Sequence, residues 1–222
     1  MDWLAIWLSV KLATIVATIL LLIGLPIAYW LTFSAWRWKF LVEAVVALPL
    51  VLPPTVLGFY VLVAIGSRSP LGRAWTAWTG HGLAFTFEAL VLASILYSLP
   101  FAVQPIAASF AQVDGTLLEA SSTLGSSRWR TFVRVLLPLS FEGVLAGAVL
   151  SFAHTLGEFG VVLMVGGNLP GETRTLSVAI YDRMQAFDDR SAGIMAATLL
   201  VISVVTLMTT TVLSRRVVAR RG

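Results

Sequence analysis

Five apolar stretches, divided by short polar segments, account for most of the chain: residues 7–33, 41–66, 85–113, 141–167 and 193–213. A helix needs about 20 apolar residues to cross the hydrocarbon core of a bilayer, so each stretch is long enough to span one. The pattern predicts an all-α polytopic membrane protein with about five transmembrane helices. Charges within the stretches are few. Lys11, Glu43 and Glu88 sit near the starts of the first three, Glu142 at the start of the fourth with Glu158 inside it, and the fifth has none. A lysine placed like Lys11 reaches the headgroups by extending its stem.

Composition agrees with the pattern. Of the 222 residues, 58% are hydrophobic and 12% charged, where a soluble domain carries about a quarter charged residues. The spans and their connections use up nearly the whole chain. Residues 1–222 therefore read as one transmembrane domain with its core at about 7–213, and any soluble machinery must come from another chain. The net charge of +4 sits between and after the apolar runs, not in a basic patch interleaved with aromatics. It points to membrane lipid, not to nucleic acid. No cysteine is present, which excludes disulfides, thiolate metal sites and thiol catalysis. The start, Met-Asp-Trp-Leu-Ala-Ile-Trp, lacks the basic region of a signal peptide and leads into too long an apolar stretch, so the first helix is expected to be kept.

The basic residues are unevenly shared between the two sides. Arg37 and Lys39 follow the first span, Arg128, Arg130 and Arg134 the third, and Arg215, Arg216, Arg220 and Arg221 the fifth; together they are nine of the fifteen Lys and Arg. Lys11, Arg68, Arg73, Arg174, Arg183 and Arg190 fall on the other side. The bias predicts an N-terminus outside and a C-terminus in the cytoplasm.

Prolines fall inside the spans at 26, 49, 53, 54, 100 and 105. Each removes a backbone donor and tends to kink a helix, and the freed carbonyls need protein or water, not lipid. Kinks of this kind serve packing or surround a pathway. Three prolines in the run Leu-Pro-Leu-Val-Leu-Pro-Pro at 48–54 make Pro53 and Pro54 candidates for a pathway or gate. No internal repeat is visible, and five spans do not divide evenly, so a complete pathway calls for a second copy or another chain.

The segment at 114–138 carries the most information. Thr116 and Glu119 have capping-box spacing, Leu117, Leu118, Ala120 and Leu124 form a prospective apolar stripe, and Gly125 is placed to stop a helix in a left-handed conformation. Ser126 or Ser127 can cap a second helix, in which Trp129, Phe132, Val133 and Leu136 recur at helical spacing among Arg128, Arg130 and Arg134, and Pro138 marks the next break. Two short helices joined by a turn are predicted. A membrane-surface helix explains the second, but not the first, which is nearly uncharged and carries an acid. A rigid peg for a cytoplasmic partner explains both.

This segment resembles the EAA loop of ABC-importer permeases. Glu119-Ala120-Ser121, then Gly125, then Leu137-Pro138 follow that pattern, with Ser121 in place of its second alanine and Val135 in place of its isoleucine. The resemblance covers most of the chain. The run at 48–54 and Leu156-Gly157-Glu158-Phe159-Gly160 look like the corresponding segments of molybdate and sulfate permeases, and Pro170-Gly-Glu-Thr-Arg-Thr175 looks closest to the molybdate group. It implies the type I ABC importer permease fold in a bacterial inner membrane, and a homodimer served by two ATP-binding cassette subunits and an extracytoplasmic substrate-binding protein. It further implies an oxyanion substrate: molybdate, with tungstate or sulfate as rivals. Glu119, Ala120, Ser121, Gly125, Arg128 and Trp129 are then the docking residues for the ATPase subunit, Gly125 by shaping the turn.

The chain's own chemistry is spare. No phosphate-cradling G-x-x-x-x-G-K-[ST] motif occurs, so ATP hydrolysis is not expected here. No catalytic residue, metal site or cofactor is expected either, since His81 and His154 have no metal-ligand spacing. His154 and Glu158, four residues apart, would share one helix face, and ionisable groups inside a span are functional candidates. Both are candidates for the pathway or gate. A carboxylate is a poor host for an oxyanion, which favours a structural or gating role for Glu158 near Gly157 and Gly160. Ser94, Ser98, Gln104, Ser151 and Thr155 are possible neutral donors, although such residues often bond their own helix. In the segment at 166–191, Arg174 and Arg183 are candidate contacts for the binding protein, and residues 176–187 suit a helix at the interface. A stand-alone secondary transporter or channel is the rival from another class.

Overall fold

The computed structural model describes residues 1–219; Arg220 and Arg221 lie outside the described residues, as do the side chains of Arg215 and Arg216. The described residues form helices and connections without strands. Among the described residues, three helices are long and apolar enough to cross a membrane: α1 (Trp3–Phe33), α5 (Phe87–Ala111) and α12 (Asp189–Ala219). Asp2 starts α1 by accepting from the Ala5 N–H at 3.0 Å. Both α1 and α5 continue as helix through Pro26, Pro100 and Pro105.

The second and fourth apolar stretches are not single helices, and here the sequence reading needs correction. The second is α2 (Lys39–Ala47), a 3₁₀ turn at Leu48–Leu50, and α3 (Pro54–Ile65), bent by 111° across the break. Pro53 and Pro54 carry no N–H, so a continuous helix there would lose two successive bonds. The fourth is α9 (Phe141–Gly157), a break at Glu158 and Phe159, and α10 (Gly160–Gly166). A helix α4 (Pro70–Thr79) follows α3, and α11 (Leu176–Gln185) precedes α12. Between α5 and α9 lie α6 (Gly115–Thr123), α7 (Arg128–Thr131), a π-helical turn at Phe132–Leu136 and α8 (Leu137–Leu139). The chain bends by 74° at Ser140. The break expected at Pro138 thus falls two residues later, after a widened turn of the kind that relieves strain within helices.

Three helices make the centre. One face of α1, through Leu8, Leu12, Val16, Leu20, Ala28 and Leu31, is buried, and α1 packs along α5 and α9. The α9 helix runs antiparallel to α5 along a seam of small residues. Gly143 lies against Ser109 and the Pro105 carbonyl, and Gly147 against Ala102 and Ile106. Spacing of small residues by four lets backbones approach closely where lipid supplies no hydrophobic drive. The short α10 packs on α3 through Gly58, against Val161 and Met164, and through Gly160, against Pro54. The α11 helix buries Leu176, Val178 and Ala179 against α12 and α1. It is therefore a packed element, not one lying loose at the interface.

The seam generates a test. A Cβ on Gly147 would lie 2.8 Å from the Ala102 carbonyl oxygen, whereas one on Gly193 meets nothing within 4 Å. Gly147→Val is expected to cost about 1–3 kcal/mol by overpacking, and Gly193→Ala to be neutral or stabilising. Thermal unfolding in nanodiscs checks this; equal Tm values for the two variants would remove the seam from the argument.

Candidate functional site

The loop between α5 and α9 is built by caps. Asp114, in extended conformation, accepts the Thr116 N–H at 2.9 Å, and that bond holds its carboxyl below the usual carboxylate range. The capping box expected of Thr116 and Glu119 does not form, because Asp114 caps two residues earlier with an ionised and stronger acceptor. At the other end Gly125 takes φ +76°. The Ser126 N–H reaches the Ser121 carbonyl at 3.1 Å and the Gly125 N–H the Ser122 carbonyl at 2.9 Å, the paired bonds of a Schellman ending. Ser127 then caps α7 by accepting the Arg130 N–H at 3.3 Å. The departure at Ser121 has a structural use: its hydroxyl lies 2.9 Å from that of Thr131, joining α6 to α7.

No residue of α6 is buried. The expected apolar stripe is split. Leu118 turns inward toward the cluster of Phe110 and Leu136, while Leu117 and Leu124 face outward. Leu124 at the apex is 86% exposed and Trp129 73%. Glu119, Ala120, Gly125 and Arg128 are exposed too, with Ser121 half-buried beneath them. Sequence reasoning missed Leu124 as a surface residue because helical spacing alone put it on the inner stripe. The neighbouring Gly125 was the available signal, since the residue before a left-handed turn sits at the tip.

A second arrangement forms where the two broken stretches meet. Glu158 is 4% exposed. Its carboxylate accepts from Ser94 at 2.5 Å on one oxygen and from Ser98 at 2.8 Å on the other. Its backbone carbonyl accepts from the Ser177 hydroxyl, at the start of α11. Ser98 also lies 2.9 Å from His154 Nδ1 and 2.9 Å from the Thr155 hydroxyl. His154 Nδ1 is 3.5 Å from the Glu158 carboxylate. The imidazole stacks on Phe101, with centroids 3.9 Å apart, and tilts against Tyr97 at 4.8 Å. Pro54, Thr55, Tyr97, His154 and Gly160 are among the walls of an open cleft of about 590 Å³; Pro53 sits just before it as the N-cap of α3.

Of the neutral donors named from sequence, Ser94, Ser98 and Thr155 come together with Glu158. Ser151 instead bonds the Gly147 and Ala148 carbonyls of its own helix, and Gln104 is exposed beside a different cleft. Sequence reasoning missed Tyr97, Phe101 and Ser177. The spacing of Ser94, Tyr97, Ser98 and Phe101 at i, i+3, i+4 and i+7 was the signal for one shared face of α5.

Arg174 and Arg183 lie at the opposite end from the loop, both engaged within the chain. Arg174 Nε donates to Asn168 at 2.7 Å, and its guanidinium is 3.4 Å from Asp182. Arg183 is 3.5 Å from Asp188, whose carboxyl is held below the usual range by the Ser191 hydrogen bonds first and by Arg183 second. Among the described residues no group of three His, Cys, Asp or Glu could hold a metal ion.

A helical bundle with two broken spans, carrying a stiff exposed peg at one end, defines a membrane permease with the type I ABC importer fold. Residues 4–221 match the model of the family described as binding-protein-dependent transport system inner membrane component, and the chain belongs to that family. It is 50% identical over 185 residues to the molybdenum transport system permease protein ModB of Azotobacter vinelandii, covering 83% of this chain and 81% of the relative. The ModB protein of Escherichia coli K12 is 39% identical, with 86% and 82% covered. A probable sulfate transport system permease protein of Chlorella vulgaris is 33% identical, with 84% and 70% covered. Among solved structures, an inward-facing form of the MetNI methionine ABC transporter superposes with a TM-score of 0.74 at 18% identity, covering 96% of this chain and 94% of that one. A bacterial alginate ABC transporter superposes with a TM-score of 0.75 at 17% identity, with 96% and 78% covered.

The hydroxyl pair of Ser121 and Thr131 predicts a local effect. Removing either by alanine is expected to loosen α6 by about 0.5–1.5 kcal/mol, and the double variant to lose little more than one single variant. Hydrogen-exchange protection of the α6 amides measures it; strictly additive losses would mean the pair is not coupled.

Proposed function

We propose that this chain is the permease subunit of an ATP-driven molybdate importer in a bacterial inner membrane. It works as a homodimer with two ATP-binding cassette subunits and an extracytoplasmic substrate-binding protein. The N-terminus faces outward and the C-terminus the cytoplasm, in keeping with the charge bias of the connections. The observation that carries the reading is the peg. It is two capped helices clamped by a hydroxyl pair, with no buried residue in α6 and with Leu124 and Trp129 exposed at its tip. A stiff apolar knob among polar neighbours suits a cleft on a partner. Glu119, Ala120, Ser121, Gly125, Arg128 and Trp129 form this docking surface, to which Leu124 is added. ATP-driven closure of the partner subunits pulls the peg, and the bundle opens outward toward the loaded binding protein.

Molybdate is supported by the relatives at 50% and 39% identity; the relative at 33% makes sulfate the second reading. Arg174 and Arg183 lie on the end of the bundle proposed to face the binding protein, where they shape the contact surface through their internal pairs.

Two measurements test the assignment. Leu124→Asp and Gly125→Asp are each expected to lower ATP-dependent uptake about tenfold or more and to release the ATPase subunit on purification. Uptake that persists without any ATPase subunit would instead make the chain a stand-alone secondary transporter or channel. Labelled molybdate uptake is expected to be competed strongly by tungstate and weakly by sulfate; equal competition by sulfate moves the substrate to the second reading.

A further inference from the structure

The polar cluster at the helix breaks contains a proton-counting constraint. A serine hydroxyl has one hydrogen to give. Ser94 gives its hydrogen to one oxygen of Glu158, and Ser98 gives its hydrogen to the other. His154 Nδ1, 2.9 Å from Ser98 Oγ, then has no hydrogen to accept and must itself donate. Nδ1–H therefore points into the protein. The other ring nitrogen, Nε2, makes no hydrogen bond and is not enclosed, since Trp75 Nε1 is the one buried side-chain polar atom without a partner among the described residues. His154 also lines the cleft. Nε2 is thus the imidazole's free position, on a residue that lines the cleft.

What Nε2 can hold follows from the ligand's chemistry. A fully ionised tetrahedral oxyanion offers lone pairs and no hydrogens, so a bond to it needs a hydrogen on Nε2. With Nδ1–H already committed, that hydrogen makes the ring an imidazolium. The surroundings suit one. The Glu158 carboxylate at 3.5 Å balances its charge, which an intramembrane cation requires, and the stacked Phe101 ring and tilted Tyr97 ring fix its plane. The other groups packed around the ring are neutral. They are Ser98 and Tyr97 on α5, the latter able to ionise only at high pH, with Thr55 at the start of α3 across the cleft.

We propose that His154 is a substrate-contact residue of the pathway: Nε2–H holds a tetrahedral oxyanion in the cleft, and the proton it uses is taken up from solvent water as the anion arrives. Glu158 is then a positioning residue. Glu158 is also among the residues that line the cleft, but both its carboxylate oxygens are taken by Ser94 and Ser98; it holds the ring and supplies the counter-charge. The inference rests on the transport reading above and adds to it the group that meets the substrate within the membrane.

The chain holds two histidines, His81 and His154, which makes the test direct. The full chain, labelled with ¹⁵N-histidine, carrying no histidine tag and placed in nanodiscs, is titrated with tungstate, and a His154→Gln sample assigns the signals. Without tungstate, His154 is expected to show a protonated Nδ1. With tungstate, Nε2 is expected to become protonated as well, while His81 does not respond. An unprotonated Nδ1, or an Nε2 unmoved by saturating tungstate, overturns the proposal. In the complete complex, His154→Phe keeps the ring stack but loses the donor. Its maximal ATP-driven molybdate uptake, normalised to the amount of folded complex, is expected to fall about tenfold, with partial rescue by His154→Gln. Undiminished uptake by His154→Phe would also overturn it. A wild-type complex that takes up no molybdate brings down the transport reading, whereas a wild-type complex that transports while His154 stays silent brings down this inference alone.

Discussion

A backbone amide or carbonyl inside a bilayer has no water to turn to, so every interruption of a helix must be covered by protein. That constraint organises this molecule. The chain breaks twice within apolar stretches, before Pro54 and at Glu158, and the two breaks are brought together. Gly160 admits Pro54 into close contact because it has no side chain in the way. Glu158 then ties its break to two other elements, with its carboxylate on α5 and its carbonyl on α11. A leucine at 158 would suit lipid but would leave the Ser94 and Ser98 hydroxyls without these acceptors. An unbalanced carboxylate would cost more still. The cluster is therefore stable as a set and fragile one member at a time.

The peg at 114–138 obeys the opposite constraint. Its helices are too short to hold themselves together in water, and α6 has no buried face to help. Caps and paired hydroxyls substitute for a core. Asp114, the Schellman ending at Gly125, the Ser127 cap and the bond between Ser121 and Thr131 each satisfy groups that the short helices leave open. The apolar surface that would elsewhere be buried stays outside, on Leu117, Leu124 and Trp129. Stiffness without burial is what an interface element needs, since its apolar area is then free for a partner and little order remains to be gained on binding.

How much of this was legible in the chain depends on the range of the interaction. The all-helical membrane class and the three continuous spans follow from apolar run length. The two-helix form of the loop follows from Gly125 and the serines after it. The breaks show in the sequence as prolines and glycines, but hydropathy runs across them and predicts a continuous span at each. Whether a proline kinks or breaks a helix is decided by what packs there: Pro26, Pro100 and Pro105 stay within helices, and the pair at 53–54 does not. The spacing of Thr116 to Glu119 fits a capping motif, while the stronger acceptor at Asp114 stands two residues before it. The meeting of Ser94, Ser98 and Ser177 with Glu158 joins residues from 19 to 64 positions apart. No local pattern specifies such a meeting, even though the α5 side of it is a regular helical stripe.

The loop and the cleft are held by the same two helices. The α5 helix carries Ser94, Tyr97, Ser98 and Phe101 at the cleft and ends three residues before Asp114 caps the peg. The α9 helix begins where the loop bends back at Ser140 and ends at Glu158. Its 17 residues span about 25 Å. Along that length Gly143 and Gly147 seat it closely on α5, where an added Cβ would lie 2.7 Å from the Pro105 carbonyl oxygen and 2.8 Å from that of Ala102. Packed helices joined in this way move as a body, not by bending. On the function proposed above, a displacement of the peg would reach the cleft through this pair of helices. It would act on the junction between α9 and α10, where the chain is already broken and where Glu158 bonds α5 and α11. The small residues of the seam and the polar residues of the break thus belong to one device. On that proposal the first keeps the lever rigid, and the second marks the place where it would turn.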